Sequence, residues 1–232
     1  MNSKPWTVMR LCLVNLTAVW AIMLVAFAMV TIPSVIQVVQ AGPDEYFEKS
    51  YLLSSGNAWY LLLIVAPVLV ATRHVTKVMH LNAAKEVFLG GAVLLYALLA
   101  AGVSAANHAF HYSLDQSWSQ TFQVVNLAET FGWTSNGPLI SLVQQFAYLL
   151  MVALGVHCLA SVQKSWKGWS FDLLLVALFS ASLVVDPLLS VRTWVVELLV
   201  LHSNAVVQVV SCLVAVVLLY AISLTVLRRQ EL

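Results

Sequence analysis

The run from residue 11 to residue 39 constrains this chain most: twenty-nine consecutive positions without a charged side chain. About 20 mostly apolar residues in a helix cross the hydrocarbon core of a bilayer. A secretory signal core is only about 7–15 residues long. Lys4 and Arg10 precede the run as they would in a signal peptide, but its length reads as a retained membrane span. Composition agrees with that reading. Hydrophobic residues make up 61% of the 232 positions and charged residues 9%, whereas a water-soluble domain carries about 25% charged residues. Such a chain has too little polar surface for water. In lipid that deficit disappears, provided the backbone satisfies its own hydrogen bonds in helices.

Similar stretches follow. They predict an all-α polytopic membrane protein in which residues 1–232 form a single transmembrane domain. Six transmembrane helices are expected at 11–39, 51–72, 87–110, 138–161, 168–185 and 204–227. Pro33 is placed to bend the first span and Pro67 to kink the second. Pro138 suits a first helical position, and Asn204 suits the cap of the last span. The fifth span is the shortest, because Asp172 and Asp186 bracket a charge-free stretch of only 13 residues. It crosses if Asp172 sits at the inner boundary, in a first turn capped by Ser170, where a carboxylate suits the helix dipole. Asp186 precedes Pro187, and proline pushes its predecessor out of the helical region. Asp186 therefore reads as a cap and Pro187 as the start of a new helix to about His202, carrying Arg192 and Glu197. That helix leaves no room for another crossing, so it reads as a short re-entrant helix between spans 5 and 6.

Orientation follows from the basic residues. Lys4, Arg10, Arg73, Lys77, Lys85, Lys164, Lys167, Arg228 and Arg229 fall on one side of this arrangement, and only Lys49 and Arg192 on the other. The positive-inside rule then puts both the N and C termini in the cytoplasm. Asp44, Glu45, Glu48, Asp115, Glu129, Asp186 and Glu197 lie outside. Trp6, Trp166 and Trp169 fall near inner boundaries and Trp59, Trp118 and Trp194 near outer ones, as aromatic belts do. Trp20, inside the first span, does not fit a belt. The net charge of +1 gives no reason to expect nucleic acid.

Chemistry-bearing motifs are absent from the sequence: there is no GxxxxGK[ST], no GxSxG and no HExxH. No catalytic role and no cofactor in this chain is expected. Cys12, Cys158 and Cys212 lie in or beside apolar runs without CxxC spacing and read as small apolar residues. Gly90, Gly91 and Gly102 read as sites of close helix packing. His108, His111 and Asp115 recur one turn apart, a spacing that suits either metal ligands on one face or interfacial hydrogen bonding. Gln144, Gln145 and His157 in span 4 either line a substrate route or hydrogen-bond between helices. No full-length span carries a central acid or base, which argues against a proton pump or voltage sensor.

The connection after span 2 reads RHVTKVMHLNAAKE. Val75, Val78 and Met79 share one helical face, with Arg73, Lys77 and His80 largely off it. That pattern suits a short amphipathic helix on the cytoplasmic surface, either as ordinary basic flanking or as a docking helix for a cytoplasmic partner.

Taken together, these features resemble the membrane subunit of an ABC-2-type transporter, a permease of a bacterial ABC exporter. That family has six spans with both ends inside, a cytoplasmic coupling helix between spans 2 and 3, and a short re-entrant element between spans 5 and 6. Residues 73–85 and 187–202 match the last two. The run LNAAKEVFLGG resembles small permeases of Gram-positive peptide and antimicrobial exporters, and SKPWTVMR resembles a short form of the family's interfacial helix. The resemblance implies a bacterial plasma-membrane location, a second permease subunit in a homo- or heterodimer, and a separate cytoplasmic ABC ATPase that binds ATP and magnesium. It implies coupling through Arg73, His74, Lys77, His80, Asn82 and Lys85, and a re-entrant helix carrying Asp186, Pro187, Arg192 and Glu197. The exported substrate would be a peptide, a lipid-like molecule or a drug.

Three other readings stay open. A vitamin-importer substrate-capture subunit also has about six spans, but Ala18, Ala21, Ala26 and Ala28 do not give the AxxxA spacing such proteins use for docking. An intramembrane enzyme would need a nucleophile or acid pair at membrane depth. A non-transporting membrane protein, such as an immunity factor, sensor or assembly partner, would carry the same spans without an ATPase.

Overall fold

The computed structural model describes residues 5–14, 16–40, 51–80, 84–120, 122–163 and 166–229. Asp44, Glu45, Glu48, Lys49, Asn82 and Lys164 lie outside the described residues. The chain is helical almost throughout: α1 (Pro5–Val14), α2 (Thr17–Gln40), α3 (Ser55–His80), α4 (Lys85–Trp118), α5 (Pro138–Val162), α6 (Trp166–Ala181), α7 (Asp186–Leu201) and α8 (Ala205–Arg229). Two three-residue strands, β1 (Tyr51–Leu53) and β2 (Gln123–Val125), pair in parallel with Leu52 opposite Val124. Among the described residues five helices are long and apolar enough to cross a membrane, or six if α6 and α7, bent by 101° at their junction, count as one. The chain is an all-α, multi-pass membrane protein.

Several boundaries differ from those expected. The apolar run from residue 11 is divided between two helices, so the first crossing helix begins at Thr17 and not at residue 11. Trp20 falls in the first turn of α2. Pro33 lies inside α2 without ending it. Tyr51, Leu52 and Leu53 form β1 instead of opening the second span. The expected separate surface helix at residues 73–85 does not form among the described residues. Residues 73–80 continue α3, and Lys85 begins α4. Pro67 lies inside the helix without ending it. A π turn at Val70–His74 follows, and the helix keeps running through it to His80. Val75 and Val78 are buried on this extension while Arg73, Lys77 and His80 are on its outer side or exposed. Ser170 does not cap α6, which starts at Trp166; its hydroxyl donates to the Trp166 carbonyl. Asp186 is the first helical residue of α7, not its cap, a difference of one position. Asn204 does cap α8, its side-chain oxygen accepting the Val206 N–H at 2.9 Å, and Pro138 does open α5, after Gly137 at φ +88°, a conformation that favours glycine.

The core forms around α3, α4 and α5. Half of the most apolar window of α3 is buried and 56% of that of α4, against 17% for α2 and 11% for α8. Lipid tails are as apolar as leucine, so exclusion of water does not drive these helices together; close packing and interhelical hydrogen bonds do. Close packing is plain where α1 lies on α4. A Cβ on Gly91 would sit 2.7 Å from the Pro5 carbonyl oxygen and 2.7 Å from Val8 Cβ. Gly102, expected to serve the same purpose, has nothing within 4 Å of a Cβ.

Two ends of the bundle can be told apart. At the basic end, Pro5 sits beside Gly90 and Gly91, and Arg228 of α8 donates through Nε (3.0 Å) and Nη2 (2.8 Å) to Glu86 Oε1 of α4. That pair is half exposed and is worth at most about 1 kcal/mol. At the opposite, polar end, Phe27 of α2 packs on Trp59 and Phe110, Thr31 donates to Ser55, and β1 meets β2.

Candidate functional site

The polar end holds a continuous buried network that links four segments. Its centre is Asp115, at the end of a π turn in α4, His111–Asp115, and only 3% exposed. Asp115 Oδ2 accepts from Ser54 Oγ at 2.7 Å and from Asn126 Nδ2 at 2.8 Å. The Asn126 amide nitrogen also lies 3.2 Å from Asn107 Oδ1. Asn126 Oδ1 accepts from Asn107 Nδ2 at 3.2 Å and from the Ala128 N–H at 2.9 Å, capping the helical turn Leu127–Thr130. Asn107 Nδ2 further donates to the Tyr60 hydroxyl at 3.0 Å. Gln145 Nε2 of α5 donates to the same hydroxyl. Gln145 Oε1 in turn accepts from His108 Nδ1 at 3.0 Å, and the Ser104 carbonyl lies 3.1 Å from that nitrogen. Both partners of His108 Nδ1 are carbonyl oxygens, so the ring proton sits there.

Burial makes such a network demanding, since each group left unpaired costs about 1–3 kcal/mol. Most of its members are paired. Asp115 Oδ1, His108 Nε2 and His111 Nδ1 are buried without a partner among the described residues. The three side chains considered as metal ligands are turned to different neighbours: Asp115 bonds to Ser54 and Asn126, His108 bonds to Gln145, and the His111 ring packs edge-on against Tyr112. Among the described residues no three histidine, cysteine, aspartate or glutamate side chains converge to hold a metal ion.

Gly56 explains how the strand-to-helix turn comes close enough. A Cβ there would lie 2.2 Å from Asn107 Oδ1, so only glycine lets α3 approach α4 at that level. Asn57 fastens the same turn to β2, donating from Nδ2 to the Val125 carbonyl at 2.8 Å and accepting the Leu127 N–H at 3.1 Å.

The three polar residues of α5 are all bonded to neighbouring helices. Gln145 joins the network above. Gln144 Nε2 donates to Gln208 Oε1 of α8 at 2.6 Å, and its Oε1 accepts from Asn136 Nδ2 at 3.1 Å. His157 Nδ1 and the Tyr96 hydroxyl of α4 are 2.7 Å apart. A groove of about 400 Å³ opens between α5, α6 and α8, with Gly155, Cys158, Phe171, Leu175, Leu219 and Ile222 in its lining. None of the three polar residues lines it.

A second set of bonds holds α7. Its final π turn, Glu197–Leu201, ends the helix and leaves the last carbonyls without partners inside it. Trp133 Nε1 donates to the Val200 carbonyl at 2.8 Å. Gln208 Nε2 (3.2 Å) and Cys212 Sγ (3.4 Å) donate to the Leu199 carbonyl. Gln208→Leu is expected to cost about 1 kcal/mol, in the range of interhelical bonds in membranes, and to raise amide hydrogen exchange across residues 197–201. Unchanged exchange there would mean that Gln208 does not hold the turn.

At the basic end, Arg73, Lys77 and Arg228 are exposed, as is Arg10. His74 is buried instead, so of the expected coupling set it faces inward. Asp186 and Pro187 open α7, and Arg192 and Glu197 lie farther along it.

The sequence reading singled out Asp115, Gln145 and His108 but missed Ser54, Tyr60, Asn107 and Asn126. Asn107 near the end of an apolar stretch was the available signal; Ser54 and Asn126 sit in ordinary turn sequences. No family model, no curated protein and no solved structure matches this chain.

Proposed function

We propose that the chain is the membrane-spanning permease subunit of an ABC transporter, exporting a peptide, lipid-like or drug substrate and powered by a separate ATPase. The observation that carries this reading is the contrast between the two ends of the bundle. One end gathers exposed Arg73, Lys77 and Arg228, with α8 tied to the start of α4 through Arg228 and Glu86. The other carries a buried polar network and the α6–α7 pair bent by 101°. In this proposal the basic end faces the cytoplasm, as positive charge does. α6 and α7 together make the fifth span with its re-entrant arm, giving six spans and cytoplasmic termini.

The basic end of α3 then serves as a docking surface for the ATPase. Because α3 runs on to His80, a push on that end passes along the helix to Ser55 and the polar network. Gln145 and Tyr60 carry it on to α5. A second permease subunit completes the transporter. ATP and magnesium belong to the partner ATPase.

The test is co-purification. The double variant R73E/K77E is expected to lose an ATPase subunit that the wild-type chain retains, by about tenfold or more, since reversing two rim charges meets like charge on the partner. Its thermal stability should stay within about 1 kcal/mol, as both side chains are exposed. If no ATPase subunit accompanies the wild-type chain from its native membrane, the transporter reading fails.

A further inference from the structure

The inside of the α6–α7 elbow holds a groove of about 580 Å³, lined by Phe179, Arg192, Thr193, Val196, Glu197 and Leu201. This volume lies within the range of small-molecule sites. What sets the groove apart is its charge. Arg192 and Glu197 are the two ionisable side chains of α7 past its first turn, and both line the same groove. Neither forms an ion pair or a side-chain hydrogen bond among the described residues. A cation and an anion that line one groove without pairing to each other complement a ligand that carries both signs.

We propose that this groove binds the headgroup of a zwitterionic phospholipid with a primary ammonium, a phosphatidylethanolamine. The Arg192 guanidinium takes the phosphate, for which its planar fork of donors is suited. The Glu197 carboxylate accepts from the ammonium. Phe179, Val196 and Leu201 supply an apolar wall for the first part of the acyl chains. Bound lipid would brace the elbow in addition to the Trp133, Gln208 and Cys212 bonds. The proposal needs the membrane fold alone and is independent of the transporter reading.

Native mass spectrometry of the full-length chain in detergent, with equal amounts of phosphatidylethanolamine and phosphatidylglycerol of the same acyl composition, tests it. Phosphatidylethanolamine is expected to be retained about fivefold over phosphatidylglycerol, the preference that one exposed charge contact supplies. E197Q should erase the preference while keeping phosphate-dependent retention, and R192Q should lower retention of both lipids. Glycerophosphoethanolamine, the same headgroup without acyl chains, should not displace the lipid at tenfold excess. Equal retention of the two lipids by the wild-type chain would overturn the proposal without recourse to any variant. So would an undiminished preference in E197Q, and displacement by the soluble headgroup would overturn the lipid as occupant. The assay contains no ATPase, so its failure leaves the transporter reading intact, and loss of the ATPase interaction leaves this one intact.

Discussion

Asn126→Ala is expected to destabilise the purified chain by about 3 kcal/mol, read from its unfolding in a detergent titration. The reason is how many buried groups one amide serves. Asn126 donates to Asp115, lies within hydrogen-bonding reach of Ser54 and Asn107, and accepts from Asn107 and from the Ala128 N–H. Removing it takes a donor from a carboxylate that is nearly fully buried, and removes a helix cap worth about 1 kcal/mol. Asn126→Asp should be no better. An ionised aspartate has no N–H to offer Asp115 and sets a like charge beside it. Gly56→Ala should act on the same network from the other side, because its Cβ would collide with Asn107 Oδ1. Ser113→Ala is the control: its hydroxyl bonds only to the carbonyl one turn back and is exposed. If Asn126→Ala costs no more than Ser113→Ala, the network does not hold the polar end together.

Gly91→Val is expected to lift α1 off α4 at a cost of about 2 kcal/mol, within the range for forcing extra atoms into a packed interface. The obstacle cannot yield easily, since one of the two close contacts is backbone: the Pro5 carbonyl oxygen at 2.7 Å. Spin labels on Trp6 and Leu94, both exposed on α1 and α4, should give a narrow distance distribution in the wild-type background and a longer, broader one with valine at 91. Gly91→Ala should move in the same direction by a smaller amount. Gly102→Ala, with open space around its Cβ, should be neutral or slightly stabilising, because alanine is the better helix former by about 1 kcal/mol. An unchanged distribution in Gly91→Val would mean that α1 is not fixed by this contact.

These two expectations concern opposite ends of the molecule and different physics. At the basic end, shape holds α1 to α4 where Gly91 admits Pro5 and Val8. At the polar end, hydrogen bonds do the holding, and the apolar contacts of Phe27 with Trp59 and Phe110 cover the outside. In water, such a polar cluster would compete with solvent at every step. Where lipid or packed protein surrounds it, pairing is the only way to avoid a desolvation cost, which is why one asparagine can matter more than a leucine.

Much of this was legible from residue types and spacing. Membrane residence follows from charge-free runs, because no arrangement of a chain with 9% charged residues suits water. Helix follows from membrane residence, because the backbone must bond to itself. Pro138 at the start of α5, Asn204 as the cap of α8 and a break at Asp186–Pro187 follow from local stereochemistry, which acts over a few residues and needs no tertiary context. Tertiary contacts settled the rest. Whether residues 73–80 form their own helix or prolong α3 depended on tertiary packing, and burial of Val75 and Val78 in the core favoured prolongation. Whether Gly91 or Gly102 mattered depended on which face α1 covers. The joining of Ser54, Tyr60, Asn107, Asp115 and Asn126 depended on bringing together positions as far as 72 apart in sequence. Local sequence determines which segments enter lipid and where helices start, since those are one-body properties of each segment in its solvent. Which buried polar groups find one another is a property of pairs, and only the folded packing of the segments decides it.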